Sequence, residues 1–311
     1  MTYPIFFDSK NSLNLIGLDD NFKFISSLYY KKKLPKVLML TGNKGSGKST
    51  LINHFLFSIF DQKNYDLSNQ TLRENTAFYN LFKNDVFQNI IYVKGSDFKS
   101  VKIDDIRILR KKILQSTLLK MDRFIILDDI ELFNTNSLNA LLKIIEEPTK
   151  NNFFFLINNK SKPLLETIKS RSLEIKFLLN ENQRLQIINK LINLHKLEII
   201  LSPKESFLSP GDFLKFNYIF GEYELSLNTN FVDNLSLLLN LFKKNKDILF
   251  INIAFFIANF YFKDLKSKKI FKNDKIYEIK SFIFDNLNNF LLYNTNQNAF
   301  INAVNSKLKN D

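Results

Sequence analysis

The sequence predicts an α/β fold, a mainly parallel sheet covered by helices on both faces, continued by an all-helical region. Three observations lead there. Up to about residue 178, short apolar runs alternate with helical patterns; from 181 onward the apolar spacing is helical almost everywhere; and a glycine-rich phosphate-loop motif joins one of the apolar runs to a helix. At 311 residues the chain is long for one domain, so two or three are expected.

The N-terminal stretch MTYPIFFDSKNSLNLIG has no basic start followed by a long apolar core, which argues against a signal peptide. KVLMLT (36–41), NIIYVK (89–94), RFIILD (123–128), FFFLIN (153–158) and LEIKF (173–177) read as buried strands. Between them lies DDIRILRKKILQSTL (104–118), a helix with Ile106, Leu109, Ile113 and Leu114 on one face and an aspartate cap at its start. A second helix, TNSLNALLKIIEE (135–147), carries the stripe Leu138, Leu141, Leu142 and Ile145 and is stopped by Pro148. The segment Asp61 to Asn89 is polar and weakly patterned, and it reads as an irregular insertion. Past residue 181 the helical pattern breaks near Pro203, Pro210-Gly211 and Asn228 to Asn230. ILFINIAFFIANFYF (248–262) falls short of the roughly 20 residues of a spanning helix. It carries Asn252 and Asn259 on one helical face and is bracketed by charge, so it reads as a buried or interface helix; no membrane partner is expected, and a cytoplasmic location is.

Hydrophobic residues make up 45% and charged residues 24%, a globular balance rather than a disordered one. With no cysteine there is neither a disulfide framework nor a thiolate metal site. The insertion is therefore expected to fold without zinc, held by Phe78, Leu81, Phe82 and Phe87. His54 and His195 lie too far apart in sequence to read as a ligand pair, and each reads as an ordinary surface or helix residue. The formal net charge of +13 suits a nucleic-acid partner, or it reflects heavy general use of Lys, Asn, Ile and Phe.

The strongest chemical signal is GNKGSGKST (42–50), which fits G-x-x-x-x-G-K-[ST] between the strand VLMLT and the helix STLINHFLFSIF. Gly42, Gly45 and Gly47 let backbone N–H groups wrap phosphate oxygens, and the helix N-terminus at Thr50 adds partial positive charge. Lys48 is placed to bridge the terminal phosphates of ATP, and Ser49 to offer its hydroxyl to Mg2+. Asp128 closes the strand FIILD at the carboxyl edge, where ligands bind in open α/β sheets, and is expected to hold the same magnesium with Ser49. Asp129 follows where a glutamate commonly activates water; it is a short base or a helix cap.

These residues sit in a context that resembles a family. LDDIELFNTNSLNALLKIIEEP followed by TIKSRSLEIKF is similar to the AAA+ subunits of bacterial DNA polymerase III clamp loaders, with their Asn-Ala-Leu-Leu-Lys helix, Glu-Glu-Pro and Ser-Arg-Cys motif. VKIDDIRILRKKI and LSPGDFLKF (208–216) resemble the delta-prime subunit in particular. The likeness covers about residues 15 to 216. It implies an AAA+ RecA-like nucleotide-binding domain over 1–178, a small helical lid over 179–225 and an all-helical collar domain over 226–311. It also implies a hetero-pentamer with gamma/tau-like and delta-like subunits, which opens a sliding clamp and places it on primer-template DNA. Arg171 matches the Ser-Arg-Cys arginine that acts in a neighbouring subunit's ATP site, and Asn158 or Asn159 matches the residue that senses the terminal phosphate; Asn158 is taken as the nucleotide-binding member.

Three departures bear on turnover. The chain lacks the four zinc-binding cysteines of many relatives, Asp129 replaces glutamate, and Gly211 falls near the position of the lid arginine that touches ATP in gamma. The resemblance thus implies a delta-prime-like stator that supplies Arg171 to a neighbour, with a gamma/tau-like ATPase as the alternative.

Overall fold

All five apolar runs become strands of one parallel sheet in a computed structural model, which describes residues 3–95, 101–115, 121–149, 151–227, 230–268, 272–293 and 295–309. In chain order come α1 (Asp19–Tyr30), β1 (Val37–Gly42), α2 (Lys48–Phe60), β2 (Tyr65–Asp66), β3 (Thr71–Leu72), α3 (Ala77–Lys83) and β4 (Ile90–Lys94). There follow α4 (Ile103–Leu114), β5 (Arg123–Asp128), α5 (Thr135–Glu146), β6 (Asn152–Asn158), α6 (Glu166–Lys169), β7 (Leu173–Phe177) and α7 (Glu181–His195). The strand order is β4-β5-β6-β1-β7, so the carboxyl ends of β1, β5 and β6 share one edge. The predicted α/β fold class holds, with helices on both faces of the parallel sheet and an all-helical C-terminal region.

Two apolar layers flank the sheet. On one face, α2 buries Leu51, Ile52, Phe55, Leu56, Phe57 and Ile59 against Leu38 and Leu40 of β1 and Phe124 and Ile126 of β5. Phe55 meets Phe124 and Phe155 edge-on, with ring centroids 5.7 and 5.5 Å apart. Burying a side chain of this size contributes about 2 to 3 kcal/mol, so the helix that carries the phosphate loop is firmly seated. On the other face, Ile106, Leu109 and Ile113 of α4 join Leu138, Leu141 and Ile145 of α5.

Several details differ from the sequence reading. Leu114 ends α4 exposed instead of joining its buried face. The start of α4 is capped from within the helix, where the Asp105 carboxylate accepts from the Lys102 N–H at 2.7 Å, while Asp104 pairs with Arg107. The insertion is ordered, with β2 and β3 as a short antiparallel hairpin and α3 turning Phe78, Tyr79 and Phe82 inward. Leu81 is exposed, because it falls on the opposite side of that short helix, and Tyr79 takes its place. His54 is fully buried, its ring bonded to the Tyr65 hydroxyl at 3.1 Å and the Ser12 carbonyl at 3.0 Å. Burial pushes its pKa down to about 4, so it is a neutral tether for the N-terminal segment at physiological pH.

The chain divides into two compact units, Tyr3–Leu197 with Phe207–Leu214, and Glu198–Ser206 with Lys215–Asp311. The expected lid, 179–225, is shared between them and does not form a unit of its own. Its first helix, α7, joins the sheet-containing unit, where Ile187 lies against Gly17 and Arg184 donates to the Leu208 carbonyl at 2.8 Å. The helical unit contains α8 (Pro203–Ser206), most of α9 (Pro210–Glu222), α10 (Phe231–Asn245), α11 (Ile248–Ser267), α12 (Asn273–Tyr293) and α13 (Gln297–Lys309). The apolar stretch at 248 runs on as the 20-residue α11, long and apolar enough to cross a membrane by composition alone. In this unit it is a core helix: Phe250, Ile253, Ala254 and Ile257 are buried, while Asn252 and Asn259 mark its exposed stripe.

Candidate functional site

The site is built where β1 gives way to α2. The loop between them turns through Gly45 (φ +74°) and Gly47 (φ +89°), left-handed positions that only glycine adopts without strain. Gly42 ends β1, and Thr50 lies half-buried in the first turn of α2. Lys48 is almost fully buried, and its ammonium donates to the Gly42 carbonyl at 2.8 Å, the Asn43 carbonyl at 2.7 Å and the Ser46 hydroxyl at 3.2 Å. The lysine is thus folded back on its own loop, a geometry that holds its charge at the loop's centre. Burial lowers its pKa to about 8, with Asp128, Glu131, Asp129 and Asp212 pulling the other way.

Ser49 and Asp128 meet as the sequence predicts. The Ser49 hydroxyl donates to Asp128 Oδ2 at 3.0 Å, and the Asp129 N–H donates to Oδ1 at 2.9 Å. A third group was not foreseen: the Tyr92 hydroxyl, from β4, donates to the same Oδ2 at 2.8 Å. Burial, and then the neighbouring Asp129 charge, raise the Asp128 pKa. A hydroxyl and a carboxylate are hard oxygen donors of the kind magnesium takes beside nucleotide phosphates, so this pair fits the metal.

Asp129 does not serve as a helix cap. It sits in the left-handed region (φ +53°) at the head of a short 3-10 turn, Ile130–Leu132, and its side chain makes no capping bond there. Instead Asn159 Nδ2 donates to its Oδ1 at 2.7 Å, and Lys44 of the phosphate loop approaches Oδ2 at 3.7 Å. Asn158, the last residue of β6, accepts the Lys160 N–H at 3.0 Å, so the polar contact toward the aspartates comes from Asn159.

Behind Asn159 lies Glu131, 4% exposed. Its carboxylate accepts the N–H of Asn159 at 3.2 Å and the N–H and hydroxyl of Ser161 at 3.3 and 2.7 Å. Glu131 is therefore the anchor of the loop that presents Asn159. Glu131→Ala removes the acceptor shared by three part-buried donors and is expected to lower stability by about 1 to 2 kcal/mol, with Glu131→Gln recovering part of the loss in urea unfolding. An unchanged midpoint in the alanine variant would exclude the anchoring role.

The segment Ser209-Pro210-Gly211 closes over the phosphate loop. The Gly211 N–H donates to the Gly45 carbonyl at 2.8 Å, and a Cβ at 211 would lie 3.0 Å from the Gly45 Cα. A side chain at this position would press on the loop backbone, which would have to give by a few tenths of an ångström. Arg171 stands apart from this cluster, 37% exposed. Its Nε pairs with Glu146 at 2.7 Å, and its Nη1 donates to the Thr167 carbonyl at 3.1 Å.

Residues 18–181, just over half of the chain, match the family described as DNA polymerase III, delta subunit. The chain belongs to that family. Among curated relatives it is 36% identical over 76 residues to the DNA polymerase III subunit delta' of Pseudomonas aeruginosa, covering 24% of this chain and 23% of that protein. It is 26% identical over 156 residues to the delta' subunit of Buchnera aphidicola subsp. Acyrthosiphon pisum, covering 50% of this chain and 47% of that one. The chain spans less than half the length of these curated relatives. Among solved structures, a DNA polymerase III gamma subunit-related protein from Thermotoga maritima is 14% identical, with a TM-score of 0.46 over 91% of this chain and 96% of that one. The delta-prime-like resemblance of the sequence is thus borne out for this DNA polymerase III delta-family chain.

Tyr92, Glu131 and Lys44 escaped the sequence reading. Glu131 did leave a trace, as a lone acid inside the apolar run that follows the two aspartates. Tyr92 left none, since tyrosine suits a strand on packing grounds alone.

Proposed function

We propose that this chain is a delta-prime-like clamp-loader subunit of DNA polymerase III, which binds ATP with Mg2+ without appreciable turnover and lends Arg171 to a neighbouring ATPase. One observation carries the reading: the Asp129 carboxylate is engaged by Asn159 and approached by Lys44, while the phosphate-loop residues proposed to hold nucleotide are all present. Lys48 and the N–H groups of Gly45 to Lys48 would hold phosphates, and Ser49 and Asp128 would hold magnesium. Bound magnesium would neutralise phosphate charge. Within this site Asn159, rather than Asn158, is the residue proposed to feel the terminal phosphate. The partners proposed are gamma/tau-like and delta-like subunits in a pentamer, the sliding clamp and primer-template DNA, in the cytoplasm. The basic net charge supports the last of the macromolecular partners.

A second reading, a gamma/tau-like ATPase motor, is favoured by the complete phosphate loop. The two readings part on the isolated chain. Equilibrium ATP binding with single-turnover hydrolysis is expected to give binding and negligible hydrolysis, and Asp129→Glu alone is expected not to restore it. Groups that act on the transition state leave ground-state affinity untouched when absent. Brisk turnover that Asp129→Ala destroys would establish the motor reading instead.

A further inference from the structure

We infer that Tyr92 occupies, on Asp128, a place that a magnesium-bound water would otherwise take, and so weakens the hold of Ser49 and Asp128 on the metal that accompanies nucleotide. The inference rests on the phosphate-loop reading above and deepens it.

An ionised carboxylate has about four lone-pair directions. Three on Asp128 are filled by this chain's own donors: Asp129 N–H on Oδ1, and both Ser49 Oγ and Tyr92 OH on Oδ2. Oδ2 is the oxygen that faces the phosphate loop, because it is the one Ser49 touches. Magnesium sheds its water reluctantly and is held by carboxylates and waters together with substrate phosphates. A water in its shell that approaches Oδ2 must therefore displace the phenol, and a hydrogen bond is exchanged rather than gained.

The phenol is not free to swing away. Tyr92 belongs to β4, hydrogen-bonded along its length to β5, so its Cα is fixed one strand from Asp128. Its ring packs against the cluster that seats α2. The Lys10 ammonium, itself held by Asp85 at 2.6 Å, lies 5.1 Å from the ring centroid. A cation over an aromatic face holds the ring in place. Tyr92 is thus a positioning residue: it acts on the metal through Asp128.

The test is the metal dependence of affinity, measured without any turnover. ATP binding is titrated calorimetrically to the full chain and to Tyr92→Phe, each in millimolar Mg2+ and in EDTA. Phenylalanine keeps the ring and its Lys10 contact and removes only the hydroxyl. Magnesium is expected to tighten binding to the native chain by less than about threefold, and to Tyr92→Phe by about tenfold or more, the net worth of one recovered hydrogen bond. Equal magnesium effects in the two proteins, or a smaller one in Tyr92→Phe, overturn the role of Tyr92 and leave the nucleotide site standing. If neither protein binds ATP with or without magnesium, the phosphate-loop reading fails and the inference with it.

Discussion

Lys48→Ala is expected to abolish nucleotide binding by the isolated chain, a loss of at least about a hundredfold in affinity, since charged hydrogen bonds to phosphate are among the strongest a side chain makes. The ammonium is satisfied by the Gly42 and Asn43 carbonyls and Ser46. Phosphate oxygens would replace those partners with charged ones, at a point where burial keeps water from screening the attraction. Alanine offers nothing in their place, and the glycine loop alone retains only backbone N–H groups.

The same lysine makes binding depend on pH. Its pKa is lowered to about 8 by burial, so near neutral pH the ammonium is mostly charged and ready for phosphate. Above pH 8 Lys48 sheds its proton, and nucleotide binding must bring the proton back. Affinity is therefore expected to fall between about pH 8 and pH 10, and binding there to be accompanied by proton uptake. The sign for folding is the reverse of an ion-paired lysine. The unfolded chain holds this proton more tightly, so the buried charge works against stability below pH 8 and is relieved as pH rises through 8. Loss of binding in Lys48→Ala is thus not a symptom of unfolding, which the unfolding midpoint checks. Affinity that stays level from pH 7 to pH 10 would remove Lys48 from the phosphate contacts.

Much of this site was legible before any coordinates. The phosphate loop carries its geometry in its letters, because Gly45 and Gly47 must take positive φ and the flanking apolar runs must be strand and helix. The central strands β1, β5 and β6 were legible because they are buried on both faces and read as apolar runs, while the edge strands β4 and β7 are less buried and were legible from their shorter apolar stretches. What stayed hidden depends on neighbours distant in sequence. Tyr92 reaches Asp128 across 36 residues, and Asn159 reaches Asp129 across 30. Neither pairing has a local signature. The sequence left Asp129 as base or cap for the same reason, since its partners Asn159 and Lys44 come from two other segments. The insertion was read as irregular because α3 is only seven residues long, too short for a periodic pattern to declare itself. The division of the lid region follows from packing of α7 on Gly17, a contact between sites far apart in the chain.

Arg171→Ala is expected to leave this chain's own nucleotide affinity unchanged and to slow ATP hydrolysis by the assembled clamp loader. The arginine is well placed for such work. It is more than a third exposed, it has no contact with Lys48 or Asp128 among the described residues, and its planar head is fixed by Glu146 and Thr167. A finger held in advance in this way loses less entropy when it meets a partner's phosphate. Removing one can slow the site it serves on the order of a thousandfold, and an assembly with several ATPase sites would show a smaller average loss. Arg171→Lys is expected not to rescue, because an ammonium cannot reproduce the fork of guanidinium donors. The variant should fold normally, since a half-exposed ion pair such as Arg171–Glu146 is worth at most about 1 kcal/mol. The measurement pairs ATP titration of the single chain with steady-state hydrolysis by the reconstituted complex. A native rate in the complex carrying Arg171→Ala would rule the finger out, and weakened ATP binding by the single chain would place Arg171 in its own site rather than a neighbour's.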